Sequence, residues 1–170
     1  MSACPVCSQK IIMPRGNPNA KILIVGGLPT EEDIETNEPF AGQMGAILRR
    51  EMMRNAKLDV MTARRVLLYL HLPAKGTKKE IKLQNQNCLQ IGHDLVIEEA
   101  QNKKLVILIG AQAVKHFTGM SVDDTNGLTV PCEYWQAETL AFVSPGSVFS
   151  TVGEMRFACA NLKTLLEEMK

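Results

Sequence analysis

The stretch Lys21-Ile-Leu-Ile-Val-Gly26 decides the fold of this chain. Its aliphatic and β-branched side chains follow one another without a polar break and end at a glycine. Such a run predicts a short strand that is buried on both faces, as strands are in a parallel sheet covered by helices. Three similar apolar runs, at residues 66–70, 105–110 and 140–143, predict three further strands.

Helical segments alternate with these strands. Four segments are predicted to be helices: residues 43–56, 87–101, 111–117 and 152–169. Residues 26–42 lack periodicity and predict loops, and residues 73–82 predict a polar, basic connection. This order of elements predicts an α/β fold, namely a three-layer α/β/α sandwich with a mainly parallel four-stranded sheet, built from residues 1–170 as one domain.

Composition and charge exclude several classes of protein. The chain has 170 residues, of which 45% are hydrophobic and 22% charged, and these values are typical of a globular domain instead of a disordered one. Its net charge of +1 means that any contact with a polyanion must come from local basic patches. No apolar run approaches the ~20 residues of a membrane helix, and no secretory signal is visible. We therefore expect a cytoplasmic protein without a membrane partner.

Five cysteines include one pair with the spacing Cys-x-x-Cys, formed by Cys4 and Cys7. Because cytosolic thiols stay reduced, this pair indicates a metal site or a redox site before it indicates a disulfide. A redox pair opens a helix after a strand, whereas this pair precedes the loop of residues 14–19. Metal binding is therefore the favoured interpretation. Cys132 and Cys159 are expected to be a loop thiol and a helix core residue.

The loops that follow the carboxyl ends of parallel strands usually form the binding site of an α/β protein. Here these loops are residues 26–42, 70–77 and 144–150. The first of them, which begins Gly26-Gly-Leu-Pro-Thr-Glu-Glu-Asp33, has neither the dinucleotide-binding nor the P-loop spacing of glycines. Binding of a nucleoside triphosphate is therefore disfavoured.

The same loop, with Pro39-Phe-Ala-Gly42 and the helix after it, resembles the first motif of the uracil-DNA glycosylase superfamily. The match is closest to the iron-sulfur branch called family 4, whose motif is Gly-Glu-x-Pro-Gly-x-x-Glu-Asp followed by Arg-Pro-Phe-Val-Gly. After the fourth strand, Ser144-Pro-Gly-Ser147 is similar to the second motif, His-Pro-Ser. The resemblance implies a fold that extrudes a base from DNA into a pocket and cleaves its N-glycosidic bond.

The resemblance also implies the composition of a base pocket. Phe40 falls at the stacking position, and the asparagine that reads the uracil edge falls near Val66 or Leu67. The full set of expected pocket residues is Gly27, Leu28, Pro29, Phe40, Val66 and Leu67.

Two departures from the motifs affect catalysis. Gly27 stands where the family has the glutamate that positions water, and Ser144 stands where it has a histidine. Losing one hydrogen-bond donor such as this histidine costs about 10²- to 10³-fold in rate. We therefore expect little excision of uracil and leave enzymatic activity open. If activity remains, Asp33 and Ser144 are the candidate catalytic residues.

In family 4, four cysteines hold a 4Fe-4S cluster. Cys4, Cys7 and Cys88 match three of these cysteines, and the fourth position falls at Leu70, beside His71. The resemblance therefore implies an iron-sulfur cluster held by Cys4, Cys7, His71 and Cys88. The same set of three thiolates and one imidazole suits tetrahedral zinc, and the sequence does not choose between the two metals.

Candidate DNA contacts lie in two segments. Lysines of the basic segment after the second strand can bind phosphates, and these are Lys75, Lys78, Lys79 and Lys82. The loop after the fourth strand resembles the family's DNA wedge, with Pro145, Gly146 and Ser147 approaching the strand and Phe149 inserting between bases.

Three functions follow from these observations. The leading hypothesis is a DNA-binding protein with a degenerate base-excision site, which acts as an accessory in replication or repair and binds DNA and a protein of that machinery. The first alternative is an active glycosylase that releases uracil or a modified base. The second is a metal or redox module, built on Cys4 and Cys7, without affinity for DNA.

Overall fold

Four parallel strands form the sheet at the centre of the fold. The computed structural model describes residues 3–73, 76–145 and 151–170, apart from the side chains of residues 80, 81 and 151. In it the strands pair in the order β2-β1-β3-β4. The strands are β1 (Ile22–Gly26), β2 (Arg64–Leu67), β3 (Leu105–Ile109) and β4 (Glu138–Phe142). The predicted α/β fold with a four-stranded parallel sheet is therefore confirmed.

Helices cover both faces of this sheet. They are α1 (Glu31–Thr36), α2 (Gln43–Ala56), α3 (Lys78–Ala100), α4 (Ala111–Thr118), α5 (Val122–Thr125) and α6 (Thr151–Glu168). Helix α2 packs against α6, and α3 contacts β1 and β2. None of the helices in the described ranges is both long enough and apolar enough to cross a lipid bilayer.

Three of the differences from the predicted elements lie close to the carboxyl edge of the sheet. The second strand is Arg64–Leu67 instead of residues 66–70. Helix α3 begins at Lys78, so the second half of the predicted basic connection is helical. Residues 31–36, predicted as loop, form α1. Helix α1 is too short to show an apolar period, and it is stabilised by a capping box, in which the side chains of Thr30 and Asp33 bind each other's backbone.

The core consists of a large cluster around the sheet and a smaller one at its edge. Every residue of β3 is buried, as expected for a strand that lies between β1 and β4. The smaller cluster is formed by Cys4, Ile11, Leu70 and Cys88. It joins the N-terminal segment to the residues that follow β2 and to the middle of α3.

A buried carboxylate links α2 to α6. Glu51 is 1% exposed, and its side chain binds Arg50 at 3.2 Å, Asn55 at 2.9 Å and Arg156 of α6 at 3.5 Å. Burial opposes ionisation, but the hydrogen bond from Arg50, the charges of Arg156 and Arg50 and the Asn55 amide together hold the pKa of Glu51 below its usual value.

We predict that Glu51→Gln lowers the free energy of unfolding by about 1 to 3 kcal/mol at neutral pH, because it weakens hydrogen bonds to a charged group. The folded-state pKa of Glu51 lies below the unfolded value, so its stabilisation is complete above the unfolded pKa and is lost as the pH falls through the folded pKa. Urea denaturation of both proteins from about pH 7 down to about pH 3 should show the difference shrinking below the unfolded pKa. Glu168→Gln, at an exposed end of α6, is the control.

Candidate functional site

A cavity of about 520 Å³ opens at the carboxyl edge of the sheet. Its walls come from the residues after β1, the residues after β3, the start of α2 and the residues after β4. This is the edge at which binding sites of parallel sheets form. The lining includes Gly26, Gly27, Leu28, Pro29, Thr30, Asp33, Phe40, Leu67, Gly110, Gln112, Ser144 and Pro145.

Five of the six pocket residues expected from the sequence lie on these walls, namely Gly27, Leu28, Pro29, Phe40 and Leu67. Val66 does not line the cavity and is fully buried in the main core. Successive side chains of a strand point to opposite faces, which separates Val66 from Leu67. Leu67 is therefore the one of the two that faces a ligand in the cavity.

Phe40 is held in a conformation that few bulky residues adopt. Its φ angle is 61°, in the left-handed region. The guanidinium of Arg49 donates a hydrogen bond to its carbonyl, and the next backbone N–H, of Ala41, donates to Asp33 Oδ1 at 2.7 Å. The ring lies against Gly26, where a Cβ would come within 2.8 Å of the ring edge. Strained backbone of this kind is typical of functional sites.

Asp33 is 3% exposed, and both of its carboxylate oxygens bind backbone. Oδ2 accepts from the N–H of Thr30 at 2.8 Å, and Oδ1 accepts from the N–H of Ala41 at 2.7 Å. The sequence offers Asp33 as a catalytic carboxylate, but here it holds the start of α1 and the loop that carries Phe40. A carboxylate engaged in this way is poorly placed to position a water molecule.

Gln112 is a wall residue that the sequence analysis did not identify. It lies in the first turn of α4, and a Cβ added to Gly27 would lie 2.5 Å from its Oε1. The amide of Gln112 therefore fills the space beside Gly27. Its place directly after a buried strand is the signal that could have found it, because that is where ligand-binding loops begin.

Ser144 is exposed and faces the cavity from the end of β4. Gly110, at the start of α4, adopts a φ of 89°, and a Cβ there would approach Ser144 Cβ to 3.1 Å. This close approach brings the loops after β3 and β4 together at the mouth of the cavity.

The predicted DNA contacts are distributed as follows. Pro145 lines the cavity, and Lys78, Lys79 and Lys82 are exposed in the first two turns of α3. The other four expected contacts lie outside the described residues, and these are Lys75, Gly146, Ser147 and Phe149.

The four expected metal ligands come together from three separate segments. Cys4 and Cys7 lie in the N-terminal turn, His71 follows β2 and Cys88 lies in α3, and their ligand atoms are all within 4.8 Å of one another. Cys4 Sγ is 3.6 Å from Cys88 Sγ, which is 3.8 Å from Cys7 Sγ, and Cys7 Sγ is 3.3 Å from His71 Nε2. This cluster can hold a metal ion.

The orientation of His71 is suited to coordination. Its Nδ1 lies 2.7 Å from the carbonyl oxygen of Leu72, to which it can donate, and this leaves Nε2 to face the thiols. Histidines that bind metals are usually fixed by a hydrogen bond of this kind.

The thiols of the cluster have different acidities. Burial opposes ionisation of Cys4, but the backbone N–H groups of Val6 and Cys7 and the neighbouring thiols bring its pKa down to about 7. Burial and the neighbouring thiols of Cys4 and Cys7 raise the pKa of Cys88 to about 12. Cys4 is thus available as a thiolate near neutral pH, and Cys88 would release its proton on binding a metal.

All three histidines of the chain lie in the described ranges, and none of them lines the cavity. His71 belongs to the cysteine cluster. His93 and His116 form a hydrogen bond of 2.9 Å, both contact the ring of Phe117, and His93 also contacts Tyr134. No imidazole is therefore available to a base bound in the cavity.

The model of the uracil DNA glycosylase superfamily matches residues 13–170 of this chain. The match covers most of the sequence, together with the parallel sheet and the cavity at its carboxyl edge. The chain belongs to the uracil DNA glycosylase superfamily.

We predict that Asp33→Ala lowers the free energy of unfolding by about 3 kcal/mol, because it removes two charge-assisted hydrogen bonds and leaves the N–H groups of Thr30 and Ala41 without these acceptors. Denaturant titration measures the change. Glu35→Ala, on an exposed position of the same helix, should stay within about 0.5 kcal/mol of the parent protein. An equally small change for Asp33→Ala would show that the carboxylate does not hold the loop.

Proposed function

We propose that this protein binds DNA and holds an extruded nucleobase in the Phe40 cavity without efficient cleavage of the glycosidic bond, as an accessory of replication or repair. The observation that carries the proposal is the state of Asp33. The cavity keeps its aromatic wall, while the one carboxylate among its described lining residues is bound on both oxygens by backbone.

The size and lining of the cavity support binding of a base. A volume of about 520 Å³ lies within the range of small-molecule pockets, and the wall combines apolar side chains with a few polar groups. Stacking of a base on an aromatic ring contributes about 1 to 3 kcal/mol. The amide of Gln112 and the hydroxyl of Ser144 can form hydrogen bonds with the edge of a base without carrying charge.

Cleavage needs groups that these residues supply poorly. The departing base carries negative charge, which an enzyme stabilises with a preorganised donor, and water must be oriented for attack on the sugar. At the position of the motif-two histidine stands the hydroxyl of Ser144, and at that of the motif-one glutamate stands Gly27, covered by Gln112. Stabilisation of the departing base and orientation of the attacking water are therefore both weakened.

The test is incubation of the protein with single- and double-stranded oligonucleotides that carry uracil, xanthine, hypoxanthine or hydroxymethyluracil, followed by alkali. We expect binding in a mobility-shift assay and no strand breaks beyond those of the untreated oligonucleotide. Strand breaks at catalytic protein concentrations would support the rival function, an active glycosylase. Absence of binding to every oligonucleotide at low salt would leave the metal or redox module as the remaining hypothesis.

We predict that Phe40→Leu weakens binding of single-stranded DNA by about 5- to 150-fold, which corresponds to the loss of one stacked base. Fluorescence anisotropy of a labelled oligonucleotide measures the change. Phe157→Leu is a matched control, since Phe157 is 56% exposed on α6 and does not line the cavity. Equal affinities of Phe40→Leu and the parent protein would contradict a stacking role for Phe40.

For the cysteine cluster we propose one tetrahedral zinc ion instead of a 4Fe-4S cluster. Two thiolates bound to the same zinc at about 2.3 Å lie ~3.8 Å apart, close to the separations of 3.6 and 3.8 Å in this protein. A 4Fe-4S cluster attaches its ligands to four different irons and needs wider separations. Zinc bound here would supply structural stability, by joining the N-terminal turn, the end of β2 and α3.

We predict that the purified protein is colourless and contains one zinc ion per chain by elemental analysis. Removal of the metal with a chelator should lower the melting temperature, because the ion stabilises only the folded chain. Cys88→Ser should lower both the zinc content and the melting temperature, whereas Cys132→Ser, outside the cluster, should keep the zinc. A brown protein that absorbs near ~400 nm and contains iron would establish the iron-sulfur cluster instead.

A further inference from the structure

A second hollow, of about 400 Å³, lies beside the Phe40 cavity. One wall is Tyr69, two residues after β2. The other wall is one face of the first half of α3, and the complete lining is Tyr69, Lys78, Lys82, Asn85, Gln86 and Leu89. The helical members are spaced by four, three, one and three residues, which places them along a single face of the helix.

The two hollows have neighbouring walls. The backbone N–H of Tyr69 donates to the carbonyl of Gly27 at 3.1 Å, and Gly27 lines the Phe40 cavity. The cavity and the hollow therefore lie one pair of hydrogen-bonded residues apart, at the shared carboxyl edge of β1 and β2.

The chemistry of this hollow is that of a nucleotide site. Tyr69 is half-buried and packed against the core, so its ring is a fixed surface on which a base can stack. Lys78 and Lys82 are exposed ammonium groups that can bind phosphate, and the amides of Asn85 and Gln86 can meet a base edge. No carboxylate is among the described residues that line it, so none of those side chains repels an anion.

We propose that this hollow binds the nucleotide next to the extruded one on the same strand, with its base on Tyr69 and its phosphate between Lys78 and Lys82. The inference rests on the proposed function, because it requires the Phe40 cavity to take the first base. For two adjacent bases to enter separate pockets, each base must lose its stacking with its neighbours and, in a duplex, its base pair. The site therefore favours single-stranded DNA, in which neither base has to be unpaired.

The experiment compares binding of a single-stranded oligothymidylate of about 12 nucleotides and the corresponding duplex by fluorescence anisotropy. Tyr69→Leu should weaken binding of the single strand by about 5- to 150-fold, and Tyr69→Phe, which keeps the ring, should bind as the parent protein does. Tyr134→Leu, which removes the other tyrosine of the chain, is the control and should leave the affinity unchanged. Tighter binding of the duplex than of the single strand would overturn the preference.

The lysines are tested by salt dependence. Two phosphate contacts on a single strand contribute about 1.4 to the slope of log affinity against log salt, so Lys78→Gln with Lys82→Gln should reduce the slope by that amount. Lys163→Gln with Lys170→Gln, at exposed positions of the C-terminal segment, removes the same charge elsewhere. These surface variants keep the test valid if Tyr69→Leu folds poorly, and equal slopes for the two pairs would overturn the proposal.

Adjacency is tested with the smallest ligands. The dinucleotide pTpT should bind the parent protein more tightly than thymidine monophosphate, and Tyr69→Leu should abolish that advantage. If the parent protein binds DNA but Tyr69→Leu changes neither the oligonucleotide affinity nor the dinucleotide advantage, the hollow is not a subsite and the proposed function still stands. If the parent protein binds no DNA, the proposed function itself fails.

Discussion

The parallel pairing of β1 with both β2 and β3 is the constraint on which the site depends. Because all the strands run in one direction, their carboxyl ends meet at one edge, and the segments beyond them must share that edge. Gly26 and Gly27 leave β1 there, Tyr69 follows β2, and Gly110 follows β3. The Phe40 cavity and the hollow beside it therefore both form because the parallel strands end at the same edge.

At this edge the protein uses a carboxylate for structure where its family resemblance suggests chemistry. Asp33 binds the N–H groups of Thr30 and Ala41, and with Arg49 it holds Phe40 at a positive φ. The aromatic wall of the cavity is therefore kept in place by the group that would otherwise be the best candidate to orient water. The engagement of Asp33 by backbone supports the proposal that the site binds a base without efficient cleavage.

The cysteine cluster and the hollow beside Tyr69 are close to each other along the chain. His71 lies two residues after Tyr69, and Cys88 lies beside Leu89, so a metal bound by the cluster would hold both walls of the hollow relative to each other. A metal bound by these residues would act at a distance from any base, by setting the separation between the end of β2 and α3. On the proposed function, disruption of the cluster would therefore affect stability, metal content and binding of single-stranded DNA together.

The sequence by itself determined the α/β class and the four strands, because a strand buried on both faces needs an unbroken apolar run such as residues 105–109. It did not predict α1 or the first turns of α3, since a short capped helix and a lysine-rich helix start show no apolar period. Side-chain roles were decided only by tertiary structure. Three contacts are examples: the amide of Gln112 lies beside Gly27, the carboxylate of Asp33 accepts from Ala41, and His71 lies close to Cys88. Contacts between residues separated in the chain leave no periodic pattern in a sequence.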